Sequence, residues 1–312
     1  MNSFTVCVQA ILPVFLIIGT GYLSKRVGLI REEDVSKMNA VTFKVFMSIM
    51  CFFNIYNSDL SQSMRPMLLV YALLAILVLF GLSCFYAVRF VPDRRDRGVV
   101  IQGLYRSNFL IIGLPVAAAL VPEADPGVIS VLSGVSVPLF NLLAVAVLDF
   151  YSGREIKPGK MVLDILKNPL IIGCALGIAA LLLGLHFPAP IHTALRDMSR
   201  VASPLMLFLL GAFFRFDRIS SKPKELIAVL LGRLIVMPAL GLLPAVLLGF
   251  RGIELASLMV LFGSSTAVAS FTMAQQMGGD GALAGNIVVF TSVGCSFTLF
   301  AWSMLFKTLG MF

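Results

Sequence analysis

Charge is scarce in this chain. Only 13% of its 312 residues are Asp, Glu, Lys or Arg, about half the share of an ordinary soluble domain. No stretch between its apolar runs is long enough to form a soluble domain. Carboxylates are missing where they would matter most: Asp149 and Glu254 sit at the ends of apolar runs, and no Asp or Glu lies in the middle of one. Membrane proton relays and cation sites usually use such groups. Their absence argues against a cation pump, though it leaves open Na⁺ held by carbonyls and hydroxyls. It also weakens an enzyme, because no intramembrane acid, base or metal cluster is visible. The five cysteines, Cys7, Cys51, Cys84, Cys174 and Cys295, all lie in apolar runs, without a CxxC pattern or a neighbouring His. They read as small buried hydrophobes rather than metal or redox groups. The two histidines, His186 and His192, fall in one loop and read as solvated. The first run is preceded by no basic segment and followed by no small-residue cleavage site, so a retained span is expected rather than a signal peptide.

Apolar sequence makes up most of the rest. The chain is 59% hydrophobic with mean hydropathy +0.97. Runs of about 20 residues recur from end to end, the length that crosses a bilayer as a helix. Ten spans are expected, near 5–24, 38–56, 67–90, 98–121, 128–150, 165–185, 195–214, 224–249, 254–276 and 283–306. The fold class is therefore an all-α polytopic membrane protein. The net charge of +8 has to be read loop by loop and does not point to nucleic acid. Loops 1–2, 3–4, 5–6 and 7–8 each carry four Lys or Arg, 16 of the 24 in the chain. The opposite side has only Arg65, Arg196, Arg251 and Lys307. By the positive-inside rule the odd loops are cytoplasmic and both termini extracytoplasmic.

The two halves resemble each other at a near-constant offset. Pro13 and Gly21 match Pro169 and Gly177, each 156 residues on. "VFMSIMCF", Val45 to Phe52, matches "VASPLMLF", Val201 to Phe208, at the same offset, and Pro66 matches Pro223 at 157. The expected units are a first five-helix repeat, 1–155, and a second, 156–312. Five is odd, so the second unit inserts upside down. Inverted repeats are an architecture of secondary transporters.

Corresponding spans in the two halves are interrupted. Span four has Gly113-Leu114-Pro115 near its middle, and span nine has Gly263-Ser264-Ser265-Thr266. Pro removes a backbone donor, Gly frees the chain from helical angles, and Ser and Thr offer cap oxygens. A second half-helix starts with up to four unpaired N–H groups and about +0.5 of a charge. Two such starts arriving from opposite sides suit a carboxylate or another small anion. Ordinary kinks are the competing reading for either break taken singly. Arg106 lies roughly 12 Å inside span four at about 1.5 Å per residue. It either snorkels to the headgroups or adds positive potential on a substrate path. Lys44 and Arg233 snorkel or pair. Asn108 donates to an anion or makes a helix–helix hydrogen bond. Gly173 and Gly177 form a GxxxG step, which implies close helix packing.

These residues carry a family resemblance over essentially the whole chain. "SNFLIIGLP" in span four, "NPLIIGCALG" (Asn168 to Gly177), "ASPLMLFLLGAFF" (Ala202 to Phe214) and "STAVASFTMAQQMGGD" (Ser265 to Asp280) resemble bacterial members of the auxin efflux carrier family. The resemblance implies ten helices in an inverted 5+5 repeat, shared with bile-acid-type transporters, with broken helices four and nine crossing beside the substrate site. It implies small organic anions as cargo: auxin in plant members, malonate or malate in some bacterial ones. It places Asn108 at the substrate. Relatives usually have Pro where this chain has Ser48 and Ser265, so the ninth-span break here rests on Gly263 and hydroxyls. The long cytoplasmic loop of plant members is absent.

The expectation is then a secondary transporter, and not an enzyme, in the plasma membrane. Asn108, Gly113, Leu114, Pro115, Ser264, Ser265 and Thr266 would hold the anion, with Ser48, Phe52 and Ser270 lining the cavity and Arg106 biasing the path. No cofactor is expected, H⁺ and Na⁺ are both open as coupling ions, and a homodimer is left open. The alternative is a membrane-embedded sensor or scaffold that binds an anion without moving it.

Overall fold

Prolines open three of the helices. Pro66, Pro169 and Pro223 each stand at a first helical position, where the missing N–H is no loss and the fixed φ suits the turn. Side chains cap others: Asp93, Asn168 and Asp280 accept from backbone amides two or three residues on. The computed structural model describes residues 3–57, 65–109, 127–152, 163, 165–214 and 222–311. Among them eleven helices follow one another and no strand occurs. They are α1 (Ser3–Arg26), α2 (Glu32–Tyr56), α3 (Pro66–Phe90), α4 (Arg94–Tyr105), α5 (Gly127–Tyr151) and α6 (Pro169–Leu182). After these come α7 (Ala189–Phe213), α8 (Pro223–Leu247), α9 (Gly252–Gly263), α10 (Ala269–Gln276) and α11 (Gly281–Thr308). Single π-helical turns interrupt α2 at Thr42–Phe46 and α8 at Gly232–Val236.

Five of the described helical segments are long and apolar enough to cross a bilayer: α2, α3, Val131–Tyr151 of α5, α8 and α11. The chain is a polytopic, nearly all-helical membrane protein. α3 shows why no aqueous surface fits it. Leu68, Ala72, Ile76, Leu79 and Ala87 are buried on one side, while Val70, Leu74, Val78 and Phe85 are exposed on the other. A helix apolar all round belongs in lipid or in a core. At the centre α9 is enclosed, with every residue from Leu255 to Gly263 buried.

Two helix crossings bring backbones close together. A Cβ on Gly21 of α1 would stand 1.9 Å from Phe208 O of α7, and one on Gly211 would stand 1.9 Å from Ile18 O. Across α2 and α6, Gly173 lies against Ser48 O and Gly177 against Phe52 O, at 2.4 and 2.8 Å by the same measure. The close packing expected of Gly173 and Gly177 is therefore present. Backbone cannot yield as a flexible side chain can. Gly211→Ala is expected to force α1 and α7 apart at a cost of about 3 kcal/mol or more, the upper range for overpacking. Thermal unfolding in detergent measures this, and an unchanged midpoint would contradict the crossing.

Two groups of polar contacts join helices away from the crossing of α4 and α9. In one, Arg65 pairs with Glu254 at 2.8 Å, Gly252 N donates to Met311 O at 2.9 Å and Phe187 N donates to the Tyr56 hydroxyl at 3.4 Å. In the other, Lys222 meets Asp96 at 2.5 Å and Asp280 at 3.0 Å, while the Asn39 amide donates to Gln275 Oε1.

Candidate anion site at the helix crossing

α4 ends at Tyr105 and α9 at Gly263, and beyond each the chain is extended: Arg106 has φ −81°, ψ 119° and Ser264 has φ −71°, ψ 165°. The two extended pieces pair antiparallel, with Ser107 opposite Thr266. Asn108 N donates to Ser265 O at 2.9 Å and Ala267 N to Arg106 O at 3.3 Å. Hydroxyls complete the junction. Ser107 and Ser264 share a hydrogen bond at 2.7 Å, Thr266 Oγ1 donates to Gly103 O at 2.7 Å, and Thr291 Oγ1 accepts from Thr266 N at 3.1 Å. Backbone that leaves a helix in a membrane must find partners in protein. Each break here serves as the other's partner.

The ninth-span break falls where the sequence places it. In the fourth span an interruption lies ahead of Gly113-Leu114-Pro115: α4 stops at Tyr105. No Pro or Gly stands at residues 104–108, so local propensity gives no reason to stop. The end is set by pairing with Ser265–Ala267, far away in sequence. Gly113, Leu114 and Pro115 themselves lie outside the described residues.

Arg233 locks the junction. It sits in the π-helical turn of α8, is fully buried, and donates from Nε to Ser264 O at 2.9 Å. Its Nη1 donates to Leu104 O and Tyr105 O at 3.3 and 3.2 Å. The acceptors are the C-terminal carbonyls of α4 and α9. Each helix end carries about −0.5 of a charge, so the two together roughly balance one guanidinium. Arg233 therefore neither snorkels nor pairs with an acid. Lys44, by contrast, is exposed.

Beside the junction lies a cavity of about 70 Å³, lined by Arg106 to Phe109, Ala267 to Ala269, Met50, Val137, Phe140, Asn141, Ser203 and Met206. At about 10–15 Å³ per water it holds roughly five waters or a few heavy atoms of a small acid. Arg106 does not snorkel. It is 3% exposed, and its Nη1 donates to Gln102 Oε1 at 2.9 Å and to Met273 Sδ at 2.7 Å, its Nη2 to Asn141 Oδ1 at 2.6 Å. Asn108 is buried and its Nδ2 has no partner among the described residues. The N-terminus of α10 meets the same cavity through Val268 and Ala269. Their amides find no acceptor among the described residues, and that helix end is electropositive. Among the described residues the lining thus offers three donors, one guanidinium, one unpartnered amide N–H₂ and a helix start, alongside the oxygens of Asn141 and Ser203.

The other expected site residues among those described stand apart from this lining. Ser264 and Thr266 are fully buried, and their hydroxyls are spent on the junction. Ser265 supplies its carbonyl to Asn108, while its Oγ, like that of Ser270, is buried without a partner among the described residues. Ser48 lies under Gly173. Phe52 belongs to an aromatic group with Tyr56 and Phe187 at one end, its ring 5.7 Å from that of Tyr56. Sequence reasoning passed over Asn141, Gln102 and Met273, which hold the Arg106 side chain, and the capping role of Arg233. A polar residue inside an apolar run was the available signal for Asn141, but its partner could not be read.

Comparison with known proteins gives the family. A family model described as membrane transport protein matches residues 6–159 and 154–303. An uncharacterized transporter of Methanothermobacter thermautotrophicus is 26% identical over 310 residues, 95% of this chain and 97% of the relative. Another, from Methanocaldococcus jannaschii, is 23% identical over 269 residues, 81% of this chain and 83% of its own. With helices that span membranes and a family match across both halves, the chain belongs to the membrane transport protein family of auxin efflux carriers that its sequence resembles.

Proposed function

We propose that this membrane transporter carries a small organic anion, a mono- or dicarboxylate, by alternating access around the helix crossing. The observation that carries the reading is the cavity at the helix crossing, where Arg106, Asn108 and the α10 start face one space. In this reading ten spans form an inverted repeat of 1–155 and 156–312 in the plasma membrane, with both termini outside. Two symmetric contacts support the repeat. Gly21 rests on Phe208 and Gly177 rests on Phe52, and each member of one pair lies 156 residues from its counterpart in the other. The sorting of loops supports the ten-span count: Arg65–Glu254 joins two loops expected outside, and Lys222–Asp96–Asp280 joins three expected inside. The coupling ion, H⁺ or Na⁺, is open in this reading.

A thermal-shift series on purified protein tests the site. Malonate, malate and indole-3-acetate, each with and without Na⁺, are the probes. At least one is expected to raise the unfolding midpoint, as any ligand of the folded state does. Asn108→Ala is expected to weaken that ligand by about tenfold, in line with about 1.5 kcal/mol for a hydrogen bond to a charged group, while keeping the unliganded midpoint. An undiminished shift in Asn108→Ala would remove Asn108 from the site.

A further inference from the structure

The two buried arginines at the crossing are electrostatically different, and the difference bears on how the carrier cycles. This inference rests on the transport reading above. Arg233 is matched by the C-terminal ends of α4 and α9 through Ser264 O, Leu104 O and Tyr105 O. Among the described residues Arg106 has only neutral partners, the oxygens of Gln102 and Asn141 and the sulfur of Met273. The start of α10, an electropositive helix end, faces the same cavity. Among the described residues no carboxylate pairs with it, and the sequence places none in the middle of any span. Neither can Arg106 stay behind in water while the site moves. It is the C-cap of α4, and its carbonyl accepts from Ala267 N across the crossing.

We infer that the cargo carboxylate is the counter-ion of Arg106 and that the protein therefore works as an obligatory anion exchanger. With cargo bound, the crossing passes through its closed state carrying a paired charge. Without cargo it must carry a bare guanidinium through surroundings of low dielectric, where an unpaired ion is strongly disfavoured. The unloaded return is then the slow step, and rapid cycling needs an anion in each direction.

Liposomes holding the purified full chain test this, with K⁺ and valinomycin fixing the potential at zero so that charge build-up cannot limit net flux. Labelled malonate is supplied outside, and the interior holds either unlabelled malonate or malonate-free KCl. Malate and indole-3-acetate are run in parallel. Uptake is expected to be about tenfold faster or more into anion-loaded vesicles, a modest barrier difference in rate terms. Arg106→Gln should bring the two rates together, and Arg106→Lys, which keeps the charge, should keep them apart. Equal rates in the unaltered protein overturn the exchange mode while leaving transport standing. A gap that persists in Arg106→Gln overturns the role of Arg106. No uptake of any of the three acids in either arm defeats the transport reading, and this inference with it.

Discussion

Arg233→Met is expected to lower the unfolding free energy by about 3–5 kcal/mol, the range for removing one partner from a buried charged group. Three carbonyls would lose their charge-assisted donor at once: Ser264 O, Leu104 O and Tyr105 O. Each such bond is worth about 1.5–3 kcal/mol, and the relief of desolvating a guanidinium offsets part of the loss. Met fills similar volume, so the effect reports the lost donors rather than a cavity. Arg233→Lys should fall between the two, because one ammonium cannot match the planar fork that reaches both helix ends. Thermal and denaturant unfolding in detergent measure the series. A Met variant as stable as the unaltered protein would mean that the two breaks hold each other without Arg233.

Lys222→Met is the second large effect, and it depends on pH. Lys222 Nζ lies 2.5 Å from Asp96, 3.0 Å from Asp280 and 3.7 Å from Asp93. The Asp96 side chain is 2% exposed. Burial pushes its carboxyl above the usual value of 3.8, and Lys222 offsets this only in part. Burial also acts against the Lys222 charge, yet hydrogen bonds to Asp96 and Asp280 outweigh it and raise the ammonium above 10.5. For Asp280, amide donors and Lys222 outweigh burial and hold the carboxyl below 3.8.

The raised Lys222 contributes stability that is complete below its unfolded pKa and lost as pH rises through the folded one. The depressed Asp280 contributes stability that is lost as pH falls through its folded value. Asp96, raised, binds its proton more tightly in the fold, so acid favours the fold at that group. Without Lys222 the Asp96 carboxyl rises further. The deficit in Lys222→Met is expected to be about 2–3 kcal/mol near pH 8, discounted from a fully buried pair because Lys222 is partly exposed. It should shrink as pH falls and Asp96 takes up a proton. Adding Asp96→Asn should recover most of the loss at the higher pH. A deficit unchanged by pH and by the second substitution would show that Asp96 is not the group left uncompensated.

What the sequence revealed depended on whether the cause was local. Spans are local: a run such as α3 declares itself by being apolar on every face. The ninth-span break is local too, because Gly263 and three hydroxyl residues both permit it and pair it. The end of α4 at Tyr105 is not. It is fixed by Ser265–Ala267 on the other half of the chain, and no residue beside it marks the stop. Arg106 illustrates the same limit. Snorkelling and an inward path both fit a charge in an apolar run, and only Gln102, Asn141 and Met273 decide between them. Arg233 was hardest to read, since its acceptors are backbone carbonyls and leave no mark in the residue string. Asn108, which the resemblance places at the substrate, lines the cavity, and its amide N–H₂ has no partner among the described residues.

The most direct test of the central proposal is accumulation of a labelled carboxylate in liposomes holding the purified protein, compared with Asn108→Ala. The account predicts that an acid which stabilises the protein in solution is also moved, and that Asn108→Ala abolishes most of that uptake without loss of folded protein. An acid that binds and is never accumulated would contradict transport and leave a membrane-embedded anion sensor in its place.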